Sequence, residues 1–195
     1  MAGRSSRLEL AGGVGDAQIV PNGVLGMLLF VAVEVMLFAG LISGFVVVKA
    51  SALVWPPIGQ PRLPVEETLV NTAALLLSGF LLFRARLAFR KDRRSARLPF
   101  LGAMLLGAFF VVFQGVEWVQ LIAEGLTLTS SSLGGFFYLI VGMHALHAVA
   151  ALGVLVWAWR RLQRGWLAST HFATVEVLWY FVVGLWPILY GVVYL

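Results

Sequence analysis

The sequence contains no cysteine, and only 12% of its 195 residues are charged. Without cysteine, disulfides, thiolate metal sites and cysteine nucleophiles are excluded together, and the redox compartment stays unmarked. Acidic side chains are scarce, with nine Asp plus Glu against fourteen Lys plus Arg, and there are only three histidines. No P-loop, nucleophile elbow or HExxH pattern occurs, and no Ser-His-Asp arrangement can be drawn, so no catalytic residue is assigned. A soluble domain is about half apolar and about a quarter charged. This chain is 61% hydrophobic with a mean hydropathy of +0.94, which reads as an integral membrane protein.

What is present is organised as apolar runs. Five are long enough to cross a bilayer, at about 24–48, 68–89, 99–122, 133–159 and 171–194, each at or above the ~20 residues a spanning helix needs. Backbone polar groups find no water in lipid, so the expected fold is all-α, a domain of five transmembrane helices over 24–195. Residues 1–23 are small, polar and mixed, and lack a signal-peptide core; they are expected to form a cytoplasmic arm. Loop charge sets the orientation. Arg4 and Arg7, the seven basic residues Arg84, Arg86, Arg90, Lys91, Arg93, Arg94 and Arg97, and Arg160, Arg161 and Arg164 all fall on one side; only Lys49 and Arg62 fall on the other. The positive-inside rule puts the N-terminus in the cytoplasm and the C-terminus outside. The basic loops suit anionic lipid headgroups, with Arg84, Arg86, Arg90, Arg160 and Arg161 as candidates, better than nucleic acid.

Ionisable side chains inside the runs cost about 2.5–3.5 kcal/mol or more each at mid-depth, so they should face protein, a headgroup or water. The polar groups to place are Glu34 in the first run, Gln114 and Glu117 in the third, His144 and His147 in the fourth and Glu176 in the fifth. At about 1.5 Å per residue, Glu34 and the two histidines come near mid-membrane, Glu117 nearer the outside and Glu176 nearer the cytoplasm. They cannot form one cluster. A staggered proton path is weighed against separate, locally satisfied packing contacts, and the latter is preferred. The "HALH" pair supplies two metal ligands at most, on one helix, where zinc or copper needs three or four. No metal or haem is expected in this chain, and the histidines are expected to be satisfied structurally. Gly26, Gly40 and Gly44 share one side of the first helix, and Gly135, Gly142 and Gly153 one side of the fourth. Such faces allow close helix approach, within the chain or with a partner.

Taken in order, "GMLLFVAVEVMLFAGLISGF", "WPPIGQPRLPVEETLVNTAALLLSG", "FQGVEW", "GGFFYLIVGMHALHA" and "HFATVEVLWYFVVGLWPILYGVVYL" make the chain resemble subunit III of the haem–copper terminal oxidases, from about Gly26 to Leu195. Glu34 falls on the glutamate of the family's Glu-bearing helix. The resemblance implies a five-helix form of a subunit that binds no haem or copper itself. It would pack on catalytic subunit I, with subunit II in the complex, in a bacterial inner membrane. The haem and copper would lie in the partner. It would also hold phospholipid and support proton uptake and durability of the catalytic subunit, with Glu34, Glu117, Glu176, Tyr180, His144 and His147 as the residues to watch. One departure is clear. The family's last helix reads Trp-His-Phe-Val-Asp, and here it is Trp179, Tyr180, Phe181, Val182 and Val183. Tyr180 is expected to bond Glu34 or Glu176 in place of the missing His. A quinol oxidase subunit, the small subunit accompanying nitric oxide reductases, and a stand-alone transporter remain the alternatives.

Overall fold

A computed structural model describes residues 21–55, 57 and 59–195. Five helices, α1 (Asn22–Ser51), α2 (Val65–Lys91), α3 (Arg97–Ala123), α4 (Ser132–Gln163) and α5 (Ser169–Leu189), are followed by a π-helical turn, Tyr190–Tyr194. The described residues contain no strand. All five helices are long and apolar enough to span a membrane. They overrun the apolar runs at nearly every end, because helix continues into the polar flanks where water or headgroups can meet the side chains. The expected arm lies almost wholly outside the described residues.

Local chemistry explains where the helices turn. The last turns of α3 and α4 close alike. Leu126 N–H reaches back to Leu121 O at 2.9 Å, and Trp166 N–H to Arg161 O at 2.9 Å, with Gly125 (φ 92°) and Gly165 (φ 75°) between. Both glycines sit in the left-handed region that ends such helices. The Ser131 hydroxyl then caps α4 by accepting from Gly134 N–H at 3.1 Å. Between α2 and α3, Asp92 accepts from the Ser95 N–H and hydroxyl, both at 3.1 Å.

The loops themselves pair by end. Arg93 donates to Gly165 O, and Arg97 to Gln163 O at 3.2 Å, so the α2–α3 and α4–α5 loops meet at one end of the bundle. At the other end Ser130 of the α3–α4 loop donates to Gln60 of the α1–α2 loop at 3.1 Å. The grouping of loops read from charge is thus the grouping that the fold makes.

Helix α2 packs on α3, and α5 runs between α1, α2 and α4. The core therefore gathers on α5, where Phe172, Trp179, Val182, Trp186 and Leu189 are all buried. Helix α1 is peripheral. Of its residues only Phe38 and Phe45 are buried, and it rests on α5 and α4. Dispersion and hydrogen bonds between helices have to hold such a bundle, since lipid is as apolar as the side chains. Polar anchors do this along α2. Ser78 donates to Ala103 O at 2.7 Å and accepts from Trp179 Nε1 at 3.1 Å; Trp186 Nε1 donates to Thr72 at 2.8 Å. Tyr190 in the π-helical turn donates to Val65 O at 3.0 Å.

The glycine faces expected to close the bundle do so only in part. Gly44 lies against Phe136 and Gly142 against Trp118, whereas a Cβ on Gly26, Gly40 or Gly153 would meet nothing within 4 Å among the described residues. The tightest approach of a helix to a neighbouring side chain is elsewhere. A Cβ on Gly107 would lie 2.5 Å from the Trp179 ring.

Candidate functional site

The ionisable groups fall into three separate sites, one for each intramembrane carboxylate. The first joins α1 to α4. Glu34 Oε2 lies 3.2 Å from His147 Nε2, and His147 Nδ1 lies 2.8 Å from Met143 O. A carbonyl can only accept, so Nδ1 carries a proton and donates it. His147 Nε2 is left facing the Glu34 carboxyl. The contact is close but not aligned as a hydrogen bond, and Glu34 Oε2 has no other partner among the described residues. Phe30, Phe38 and Phe181 lie around His147, with ring centroids 5.8–6.2 Å away.

The second site ties α2, α3 and the C-terminal turn. Glu117, 1% exposed, accepts from Thr68 at 3.0 Å on one oxygen and from Gln114 Nε2 at 2.7 Å on the other. Gln114 also donates to Tyr194 Oη at 3.2 Å, and Asn71 donates to Phe110 O at 3.3 Å beside it. The i, i+3 spacing of Gln114 and Glu117 thus builds a direct bond rather than only a common face. A small cavity of about 110 Å³, lined by Arg62, Glu67, Gln120 and Glu124, reaches Glu117 from the end of the bundle that carries the α1–α2 loop.

The third site joins α2 to α5. Arg86 Nε sits 3.3 Å from Glu176 Oε2, and Tyr180 donates to Glu176 Oε1 at 3.4 Å. Arg86 also donates to Ser169 O at 3.0 Å and lies over the Phe172 ring. Tyr180 therefore bonds Glu176, not Glu34. Val183, at the position where the resemblance has Asp, is an apolar contact: a Cβ on Gly79 would meet its Cγ1 at 2.9 Å.

The expectation that the histidines would be satisfied holds for His147 and is corrected for His144. That ring is 1% exposed and neither nitrogen has a partner among the described residues, because the aromatic rings of Phe38, Phe110 and Trp186 enclose it. His171 stands apart, edge-on to Trp157. Among the described residues no three His, Asp or Glu side chains converge.

The basic candidates separate as well. Arg86 is committed to Glu176. Arg84 and Arg90 have no acidic partner among the described residues, nor do Arg160 and Arg161, the latter lying over Trp157. Sequence reasoning misses Thr68, Trp179, Trp186 and Tyr194. Thr68, Asn71, Thr72 and Ser78 recur at helical spacing on one face of α2, and that polar stripe is the signal the sequence offers. Nothing local marks Tyr194, which is brought to Gln114 only by the C-terminal turn.

The family model for cytochrome c oxidase subunit III matches residues 12–195. Among curated relatives, a probable cytochrome c oxidase subunit 3 of Nocardia farcinica is 33% identical over 89% of this chain and 88% of its own length. The cytochrome c oxidase subunit 3 of a Synechocystis strain is 29% identical over 88% of this chain and 75% of its own length. That of Mus musculus is 30% identical over 90% and 70%. Five spans, their order and a match running from the first helix to the last agree, and the chain belongs to the cytochrome c oxidase subunit III family.

Proposed function

We propose that this chain is the non-catalytic third subunit of a haem–copper terminal oxidase in a bacterial inner membrane, with its N-terminus in the cytoplasm. Haem and copper would belong to the catalytic partner subunit. The supporting observation is the extent of the family match, which takes in all five helices and all three buried carboxylate sites. The Glu34–His147 pair gives the reading its chemistry. A carboxyl and an imidazole 3.2 Å apart, beside three aromatic rings, set two groups able to carry a proton side by side on α1 and α4. This suits support of proton uptake by a neighbouring subunit. The Arg86–Glu176–Tyr180 site lies toward the basic loops and clamps α2 to α5, which suits durability. Around it Arg84, Arg90, Arg160 and Arg161, without acidic partners among the described residues, are available to phospholipid headgroups.

Purification in mild detergent tests the reading. Co-migration with a haem-containing protein of about twelve spans is the expected result. A colourless chain that purifies alone and transports a solute would sink it.

A further inference from the structure

The basic loops suit headgroups as a diffuse surface, but the bundle divides their cations into two sets. Arg86, Arg93 and Arg97 are spent inside the fold, on Glu176 and on the carbonyls of Ser169, Gly165 and Gln163. Arg84 and Lys91 have no hydrogen-bond or acidic partner among the described residues, and both line a continuous groove between α2 and α3. The groove combines a cavity of about 590 Å³ with an adjoining one of about 480 Å³, sharing Phe80, Arg84, Ala88 and Ser95.

Its walls follow helical spacing. Phe80, Arg84, Ala88 and Lys91 stand on one face of α2; Leu98, Leu101 and Leu105 stand on the facing side of α3. The cations come at the loop end of α2 and the leucines continue deeper. At about 1.5 Å per residue, Leu105 lies roughly 10 Å along α3 from Leu98. Charge at the interface followed by an apolar trough is the pattern of one phospholipid, headgroup and acyl chain together. The nearby anion is Asp92, whose charge is already used. It accepts two bonds from Ser95 and, with the backbone N–H groups of Arg94 and Ser95 as the leading causes, its carboxyl is held below the usual aspartate range.

We propose that the α2–α3 groove is a specific site for one anionic phospholipid of the leaflet on the basic-loop side, its phosphate held by Arg84 and Lys91 and an acyl chain lying along Leu98, Leu101 and Leu105. This rests on the headgroup reading above and narrows it. It removes Arg86 from the headgroup set and brings in Lys91, which that reading does not include. Arg160 and Arg161, on α4, line neither cavity.

The test is native mass spectrometry of the complex in mild detergent, followed by delipidation and add-back of phosphatidylglycerol or phosphatidylcholine. The wild type is expected to retain one phosphatidylglycerol per chain and to discriminate against phosphatidylcholine. Each cation near a membrane surface is worth about fivefold, so Arg84→Gln with Lys91→Gln should weaken add-back about 25-fold. Arg160→Gln with Arg161→Gln should not. Leu105→Trp keeps both charges and fills the trough; it should also lose the lipid, which a site for free phosphate would not. Equal retention in wild type and Arg84→Gln/Lys91→Gln, or equal loss in the Arg160/Arg161 control, overturns the proposal. So does a photo-crosslinker at position 98 that captures another subunit rather than lipid. If the chain purifies without a haem protein yet shows this retention pattern, the lipid site stands and the oxidase reading falls.

Discussion

Gly107→Ala is a small change with a calculable effect. The new Cβ would stand 2.5 Å from Trp179 Cη2 and 2.6 Å from Cζ2, where ordinary contact begins near 3.4 Å. The indole must therefore shift by close to an ångström. It has nowhere easy to go: Trp179 is 1% exposed, and its Nε1 donates to Ser78, which in turn donates to Ala103 O. Overpacking of this kind costs about 1–3 kcal/mol. Disturbing the interhelical hydrogen bond adds roughly 0.6 kcal/mol. Against this, alanine is the better helix former by about 1 kcal/mol. Overpacking wins, and the net destabilisation should be about 0.6–2.6 kcal/mol. Unfolding of the purified protein in a detergent series reads it directly. Trp179→Phe supplies the control, because it removes the ring atoms that clash. In that background Gly107→Ala should be neutral or stabilising, with a coupling of at least about 1 kcal/mol. Equal or greater stability of Gly107→Ala with Trp179 in place would refute the reasoning.

Other outcomes follow from the three carboxylate sites and the loops. Arg86→Gln leaves Glu176 without its counter-charge and should destabilise the bundle by about 1–3 kcal/mol, below the range for a fully buried pair; Arg86→Gln with Glu176→Gln should recover most of that stability in the same unfolding assay. Glu34→Gln keeps a polar group beside His147 and should be mild, while Glu34→Ala should shorten the working life of the oxidase; normal turnover and inactivation kinetics in both would count against a role for Glu34. Tyr180→Phe removes one long hydrogen bond at 3.4 Å and should cost no more than about 0.5 kcal/mol, visible as a small fall in detergent stability with lipid content unchanged. Asp92 has a lowered folded pKa, so its contribution to the α2–α3 turn is complete above the unfolded value of about 3.9 and is lost as pH falls through the folded one. Limited proteolysis of that turn should accelerate only in acid, and Asp92→Ala should be cleaved at the acid rate at neutral pH.

How much of the fold and its sites can be read from the sequence depends on how local the cause is. Five helices are legible because hydropathy over about twenty residues is a property of each segment by itself. The pairing of loops by end is legible because alternation through the bilayer fixes it once the spans are counted. The partners of the buried groups are less so. Glu34, Glu117 and Glu176 announce themselves as residues that need company, but which helix supplies it depends on rotation about each helix axis. No single segment encodes that rotation. Hence the sequence marks Glu176 as a buried carboxylate and Arg86 as a headgroup cation, although the two lie 3.3 Å apart. It traces Tyr180 to either of two carboxylates, and the structure selects Glu176. Glycines mislead for the same reason. A glycine face says that a close approach is possible, and only the neighbour, Trp179 for Gly107 and none among the described residues for Gly26, says whether it occurs.

The peripheral position of α1 bears on the order in which the molecule can be built. This helix leaves the ribosome before the other four, yet it rests on α5 and α4, the last two to be made. Until then it has no surface to dock on, and Glu34 waits in the bilayer without His147. Contacts between distant parts of a chain form late and slowly. Of the five helices, the first inserted must thus wait for the fourth and fifth before it is fastened. A block in synthesis or a defect in α4 should leave α1 adrift, exposed to membrane quality control at the carboxylate that the finished fold conceals.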